Sequence, residues 1–379
     1  MGRRAFLPRM LVVAAALSGA SCLFQDPGFP ADAVLVEREN DGFHAVFRFS
    51  YRGSMAATRY AWDLGDGTAA SGAVAYRCYP REGRYAVRLR IRGADGRDRL
   101  SPVVSVEAPA PKDVPSGRVS YMTLEKPGAL FALPGRIGSV NGNPLPRDGF
   151  PLLAESGTLS IYGADVPGYH LLAAEAPDGR REVDLFVSPV PTVHLDRTDM
   201  DWYRTQFATE TISNCGPTVA SMSIAWANGA DMTVNEVRRA VGWNGSGAVD
   251  FHELAAVLSS RGVESRVVTV SAPGEILDMV DRGHAAGLLY GMEDLPATEA
   301  PERNLFGQYY RDHGGHYILV KGRSRDGKWF VVYDPIPSDW ALNAARYADG
   351  RSMLGRNRYY PVDALFAALR SREVLEVIR

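Results

Sequence analysis

Hydrophobic and polar positions keep one rhythm in the first half of the chain and another in the second. Over residues 85–92, Tyr85, Val87, Leu89 and Ile91 alternate with Ala86, Arg88, Arg90 and Arg92. A period of two puts one set on a buried face and the other in water, which predicts a strand. Short apolar runs at 34–36, 45–51 and 103–106, with Gly93-Ala94-Asp95-Gly96 as a turn, extend the pattern. Turn signals every ~8–12 residues predict a small β-sandwich over residues 31–109. A proline-rich linker at 108–115 follows. Runs at 159–162, 169–174 and 183–187, the last two joined by Asp178-Gly179, predict a second, irregular β-rich domain over 116–190. Ser188-Pro189-Val190-Pro191 forms another linker.

From residue 196 to 379 helical and strand patterns alternate, which predicts an α+β unit. Val219, Met222 and Trp226 recur at helical spacing, with Pro217 in the first turn and Asn228-Gly229 as the stop. A strand begins at His316, turns at Asp326-Gly327 and returns through 329–333. Residues 361–369 predict a capped amphipathic helix that serves packing.

Residues 1–22 read as an export signal. Arg3, Arg4 and Arg9 supply positive charge, residues 10–17 are apolar, and Ser18, Gly19, Ala20 and Ser21 are small. The run is well short of the ~20 apolar residues that span a bilayer. Cys22, directly after the small residues, resembles a bacterial lipobox, although Gly19 stands where that box has a large aliphatic residue. The resemblance implies a diacylated cysteine and a membrane-anchored lipoprotein of the cell envelope. Ordinary secretion, with cleavage after Ala20 and Cys22 left as a thiol, is the other reading. Both place the mature chain outside the cytoplasm.

Composition narrows the classes. The length of 379 residues suits two or three domains at ~150 residues each. A formal net charge of −2 disfavours a dedicated nucleic-acid binder, which needs a basic face. The three cysteines, Cys22, Cys78 and Cys215, are too few for a disulfide framework. Cys78 falls in a predicted strand, where a buried inert thiol is the default.

Cys215 has a different setting. It opens the helix predicted from Val219, Met222 and Trp226, where free N–H groups and the positive dipole end stabilise a thiolate. Two antiparallel strands around Asp326-Gly327 bring their far ends together, so Asp334 lands beside His316. The expected arrangement is Cys215 as nucleophile, His316 as base and acid, and Asp334 orienting the imidazole.

Two segments resemble known families. Tyr60-Ala61-Trp62-Asp63-Leu64-Gly65-Asp66-Gly67-Thr68, then Tyr76 and Gly83-Arg84-Tyr85, resemble a PKD domain over about 75 residues. That implies an Ig-like β-sandwich acting as a spacer or a protein- or carbohydrate-binding module. Asn214-Cys215-Gly216-Pro217-Thr218, Gly314-Gly315-His316-Tyr317 and Tyr333-Asp334-Pro335, in that order, resemble C39-like papain-fold cysteine peptidases over residues 200–340. The resemblance implies a Cys215–His316–Asp334 triad and a glutamine that joins the Cys215 N–H in an oxyanion hole. Gln206 is the matching candidate, nine residues before Cys215 where papain-type spacing is six. Asn214 is the alternative donor, or a helix cap.

Other chemistry-bearing residues have plainer readings. Asp63 and Asp66 lack calcium-loop spacing and suit a tight turn. His313 and His316, with Asp312 nearby, do not share a face on a turn-to-strand segment, so a metal pair is disfavoured. His252 sits in the first turn of a helix capped by Asp250 and Glu253, and His284 at a helix end. His170 and His194 stand alone in predicted strands or at the surface. Residues 293–312 suggest a lid or substrate-side loop, with room for a short helix. The expectation is an exported, lipid-anchored cysteine peptidase acting on a peptide, protein or cell-wall substrate, with no cofactor. A cell-wall amidase or acyl transferase using the same triad, and a surface-binding protein with an inactive papain-like domain, are the alternatives.

Overall fold

Strand Gly83–Gly93 keeps the alternation of its sequence: Val87, Leu89 and Ile91 are buried while Arg90 and Arg92 are exposed. The computed structural model describes residues 29–379 apart from 31, 41, 145–148, 207–212, 243–248 and 337–344. Cys22 and the export signal lie outside the described residues. The chain is mostly β-sheet with few helices. It divides into two units. One holds the chain up to Val119, with Gly128–Asp165 and Leu172–Glu182; the other holds Ser120–Pro127, Val166–Leu171 and Val183–Arg379. Residues 116–190, expected as one β-rich domain, thus contribute segments to both.

In the first unit, strands Val34–Asn40, Ala45–Tyr51 and Val74–Cys78 form one antiparallel sheet. Ala69–Ser71, Ala57–Asp63, Gly83–Gly93 and Asp98–Leu100 form another, with Val104–Ala108 also paired to Gly83–Gly93. The core contains Phe47, Phe49, Trp62, Val87, Leu89 and Ile91. Trp62 packs 5.9 Å from the Phe49 ring, and its indole N–H donates to the Gly72 carbonyl at 2.9 Å. A buried indole is acceptable because its one polar group is bonded. Ala129–Pro134, Leu159–Ala164 and Leu152–Ser156 form a further small sheet. Its Leu130, Ala132 and Ile161 pack with Val46 and Cys78.

The second unit is built on an antiparallel sheet in the order Glu264–Thr269, Glu373–Ile378, Ala285–Gly291, Gly315–Ser324, Trp329–Tyr333, Arg358–Pro361. Thr192–His194 pairs with Gly315–Ser324 as well. The pleat of Gly315–Ser324 separates two cores: Tyr317 and Leu319 join one cluster, Ile318 and Val320 the other. Helix α1 (Cys215–Asn228) packs with Tyr317 and Leu319. Residues Gly216 to Trp226 are all buried, so α1 is enclosed on every side, and its hydroxyls must be satisfied internally. Thr218 donates to Asn214 O at 2.7 Å, Ser221 to Met232 O at 2.5 Å and Ser223 to Val219 O at 2.8 Å. Gly229 ends the helix at φ 76°, as the Asn-Gly stop predicts. Helices α2 (Val234–Val241), α3 (Phe251–Ser260), α4 (Pro273–Asp281) and α5 (Val362–Ala367) follow. Asp250 and Glu253 cap α3 reciprocally, leaving His252 exposed on its first turn. No helix among the described residues is long and apolar enough to cross a membrane.

Candidate active site

Cys215 is the first residue of α1, and the left-handed backbone of Ser213, at φ 64°, turns the chain just ahead of it. His316 stands second in strand Gly315–Ser324, opposite Tyr290. Asp334 directly follows strand Trp329–Tyr333. The structure brings these three together. His316 Nε2 lies 2.8 Å from Asp334 Oδ1, and the imidazole is close enough to the Cys215 thiol for each to shift the other's pKa. Backbone N–H groups of Tyr317 and Gly216 also favour the thiolate. Asp334 is fully buried, His316 is 2% exposed, and Cys215 is half-buried.

The electrostatics follow from this packing. Burial alone would push the Cys215 thiol up. The hydrogen bond and charge of His316, then the two backbone N–H groups, outweigh it and hold the thiol below its ordinary value. Burial alone would push the imidazole down. The charge and hydrogen bond of Asp334, then the Cys215 sulfur, reverse this and lift it to about 10. The two shifts favour a thiolate–imidazolium pair.

Asp334 is held on every side. Its N–H donates to Gly355 O and its C=O accepts from the Tyr203 hydroxyl, both at 2.8 Å. Gly355 must be glycine, since a Cβ there would sit 2.1 Å from the Asp334 carbonyl oxygen. Oδ1 also accepts from the Ile336 N–H at 3.0 Å. Oδ2 accepts from the hydroxyls of Tyr310 at 2.8 Å and Tyr360 at 2.7 Å. The sequence reading did not single out these two tyrosines. Tyr310 lies in an irregular polar stretch and Tyr360 in a short strand, and neither position carries a periodic signal.

Gln206 lies between the chain segments of the site. Its N–H donates to Pro335 O at 2.9 Å, and its C=O accepts from the Asn214 side chain at 3.3 Å. Its buried Oε1 has no hydrogen-bond partner among the described residues. Asn214, the other oxyanion candidate, precedes α1 without capping it by a side-chain bond. Its Oδ1 accepts from Arg238 at 2.5 Å instead.

The remaining candidates fall elsewhere. His313 has a 93% exposed side chain beside Asp312, whereas His316 is enclosed, so the two histidines face different environments. His170 Nε2 meets Val166 O at 2.9 Å, and burial lowers its pKa. His194 Nε2 meets Ser188 Oγ at 2.6 Å; burial, then the Lys321 charge, push it down to about 3. His284 pairs with Glu376 at 2.7 Å. Asp63 and Asp66 bond the backbone N–H groups of Gly65 and Thr68, as a tight turn requires. Cys78 is buried, and Ser156 Oγ bridges its N–H and C=O.

The stretch expected as a lid is stapled. It opens on a short 3-10 turn, Met292–Asp294. The fully buried Arg358 guanidinium then donates to the carbonyls of Pro301, Asn304, Phe306 and Gly307, two of its nitrogens reaching Gly307. A planar fork with five donors can gather a loop backbone in this way.

Residues 30–107 match the PKD domain family. No curated protein matches this chain. Among solved structures, a C39-like peptidase candidate from Bacillus anthracis is similar over 47% of this chain and 94% of its own, at 13% identity and a TM-score of 0.31. The PKD1 domain of Vibrio anguillarum Epp is similar over 21% of this chain and 93% of its own, at 22% identity and a TM-score of 0.17. The PKD1 domain of the Vibrio cholerae metalloprotease PrtV is similar over 20% and 91%, at 19% identity and a TM-score of 0.17.

Proposed function

We propose that the chain is an exported, lipid-anchored cysteine peptidase of the C39-like, papain-fold type, with its PKD domain as a spacer on the envelope side. The observation that carries this reading is the buried Asp334–His316 contact of 2.8 Å, with the imidazole next to the Cys215 thiol at a helix start. In the proposed reaction the Cys215 thiolate attacks the carbonyl carbon of a peptide or related amide. The Cys215 N–H and the Gln206 side-chain amide hold the oxyanion. His316 gives its proton to the leaving amine, which departs and leaves a thioester on Cys215. His316 then takes a proton from water, and the hydroxide releases the carboxylic acid and frees the thiol. Asp334 keeps the imidazole oriented throughout.

Cleavage of a peptide library and of purified cell wall, by the unaltered chain and by Cys215→Ala, tests this. Products that need Cys215 support it, and their class separates peptidase from cell-wall amidase. Identical product profiles from the two proteins would sink it and favour a binding role. Acylation at Cys22 is tested separately: Cys22→Ser should move the chain from the membrane fraction to the soluble one.

A further inference from the structure

Asp334 Oδ2 does not touch His316, yet two buried phenols are aimed at it. Tyr310 reaches it at 2.8 Å and Tyr360 at 2.7 Å. A carboxylate only accepts, so each phenol gives its proton to Oδ2. Behind Tyr310 stands Tyr290, whose hydroxyl lies 2.7 Å from that of Tyr310 and 2.8 Å from Gln308 Oε1. The Gln308 amide is fixed by two donations from Nε2, to Met292 O at 3.1 Å and Tyr310 O at 2.9 Å. Tyr290 is also the cross-strand neighbour of His316, with its ring edge-on to the imidazole at 5.8 Å. Gln308 and Tyr310 belong to the stretch that Arg358 staples, and Tyr360 lies two residues after Arg358 on the edge strand.

We propose that Tyr310 and Tyr360 are positioning residues of the Cys215 site, holding Asp334 Oδ2 so that Oδ1 keeps the imidazole in line with the thiol. This rests on the catalytic reading above and adds to it a part that acts only through Asp334. A carboxylate pinned at one oxygen can still swing about its Cβ–Cγ bond. Pinned at both, it presents Oδ1 to Nε2 in one orientation, which fixes which nitrogen faces the sulfur. Removing both phenols leaves Oδ2 buried without a donor and free to turn toward the Ile336 N–H or the imidazole.

The test compares iodoacetamide alkylation of Cys215 in the unaltered chain, in Tyr310→Phe, in Tyr360→Phe and in the double variant, with Cys78 as the internal reference. Loss of groups that orient a functional side chain typically costs 10–100-fold, so alkylation near pH 6 should fall about tenfold in the double variant and less in each single one. At about pH 9.5, where thiols ionise unaided, the rates should agree within about twofold. Against any substrate found, kcat should fall with KM little changed. A double variant that folds and keeps the unaltered pH profile overturns the proposal, as does a loss of thermal stability alone. Should the double variant not fold, the two single variants decide on the same terms. If Cys215 of the unaltered chain alkylates no faster near pH 6 than Cys78, the catalytic reading fails and this proposal with it.

Discussion

Asp334 Oδ1 receives both the His316 imidazole, at 2.8 Å, and the Ile336 N–H, at 3.0 Å, while Oδ2 receives two phenols. A carboxamide would have to keep its oxygen toward His316 and the Ile336 N–H and turn its NH2 group to the two phenols, which would then accept where they now donate. Asp334→Asn should therefore act mainly through loss of the negative charge beside the imidazole. Removing that charge takes away what lifts His316 to about 10. The expected loss in kcat/KM is about 10²–10⁴-fold. In the unaltered chain alkylation should set in below the pH at which an ordinary thiol ionises, with the thiolate–imidazolium pair persisting until the imidazolium loses its proton near pH 10. In the variant it should rise only at or above about pH 8.5, where an ordinary thiol ionises, because burial without the imidazolium pushes Cys215 up. An onset in the variant as low as in the unaltered chain would refute the role given to Asp334.

Gln206 is expected to affect the transition state and not the thiolate. Gln206→Ala should lower kcat by about 10²–10³-fold, as loss of one oxyanion donor does, with KM little changed. Its Oε1 has no partner among the described residues, so the change strands no described donor there. Alkylation of Cys215 near pH 6 should be unaffected. Parallel losses in turnover and alkylation would show that Gln206 serves the thiol and not the oxyanion.

Asp66 anchors a turn in the PKD domain. Oδ1 accepts from the Thr68 N–H and hydroxyl, and Oδ2 from two nitrogens of Arg77, with both charged side chains nearly buried. Burial alone would raise its pKa; the bonds from Thr68 and Arg77 outweigh that and lower it. Asp66→Ala would leave the guanidinium unpaired, at a cost of about 3–5 kcal/mol. Hydrogen exchange over residues 57–93 should speed accordingly. Adding calcium or a chelator should leave that exchange unchanged, because the Asp66 oxygens already have protein donors. Calcium-dependent protection would contradict the turn reading.

The first half of the chain was legible where one face is wet. Val87, Leu89 and Ile91 betray their strand because arginines separate them. The approach of His316 to Asp334 was legible for a similar reason: the Asp326-Gly327 turn returns the chain antiparallel, and beyond a bulge between Val320 and Gly322, which no local signal marks, Leu319 pairs with Tyr333. Tyr310 and Tyr360 were hidden because tertiary structure brings them to Asp334, Tyr310 from a stretch without periodicity and Tyr360 from a short edge strand. Polar residues at 293–312 suggested a lid or substrate-side loop, but nothing local shows that a guanidinium 51 residues beyond Gly307 will gather their carbonyls. Cys215, with its helix start and small neighbours, carried a local signal.

Glu376 couples stability to pH on the acid side. It is buried in strand Glu373–Ile378 and receives Arg266, Arg282 and His284. Burial alone would raise its pKa; the hydrogen bonds from Arg266, His284 and Arg282 outweigh that and bring it down to about 2. A depressed carboxylate adds stability above its unfolded value of about 4.3, and that stability is lost as pH falls toward 2. Glu376→Gln should be less stable than the unaltered chain at neutral pH, and the gap should close between about pH 4 and pH 2. Thermal unfolding at stepped pH reads this directly. A gap that is constant with pH would mean that Glu376 contributes by packing alone.

Arg358 is where fold and site meet. Its guanidinium holds four backbone carbonyls of the 301–307 stretch and lies over the Tyr309 ring at 5.1 Å. Arg358→Met keeps most of the length and apolar contact but removes every donor, and Arg358→Lys keeps the charge but loses the planar fork. A hydrogen bond to a charged group is worth about 1.5–3 kcal/mol net, so losing even one raises the open population of the stretch about tenfold. Limited proteolysis within residues 295–312 should therefore speed at least tenfold in the Met variant and partly in the Lys variant, before global unfolding. Because Gln308 and Tyr310 ride on this stretch, alkylation of Cys215 near pH 6 should slow in the same order. Faster proteolysis with unchanged alkylation would separate the two and mean that Tyr360 alone suffices to hold Asp334 Oδ2.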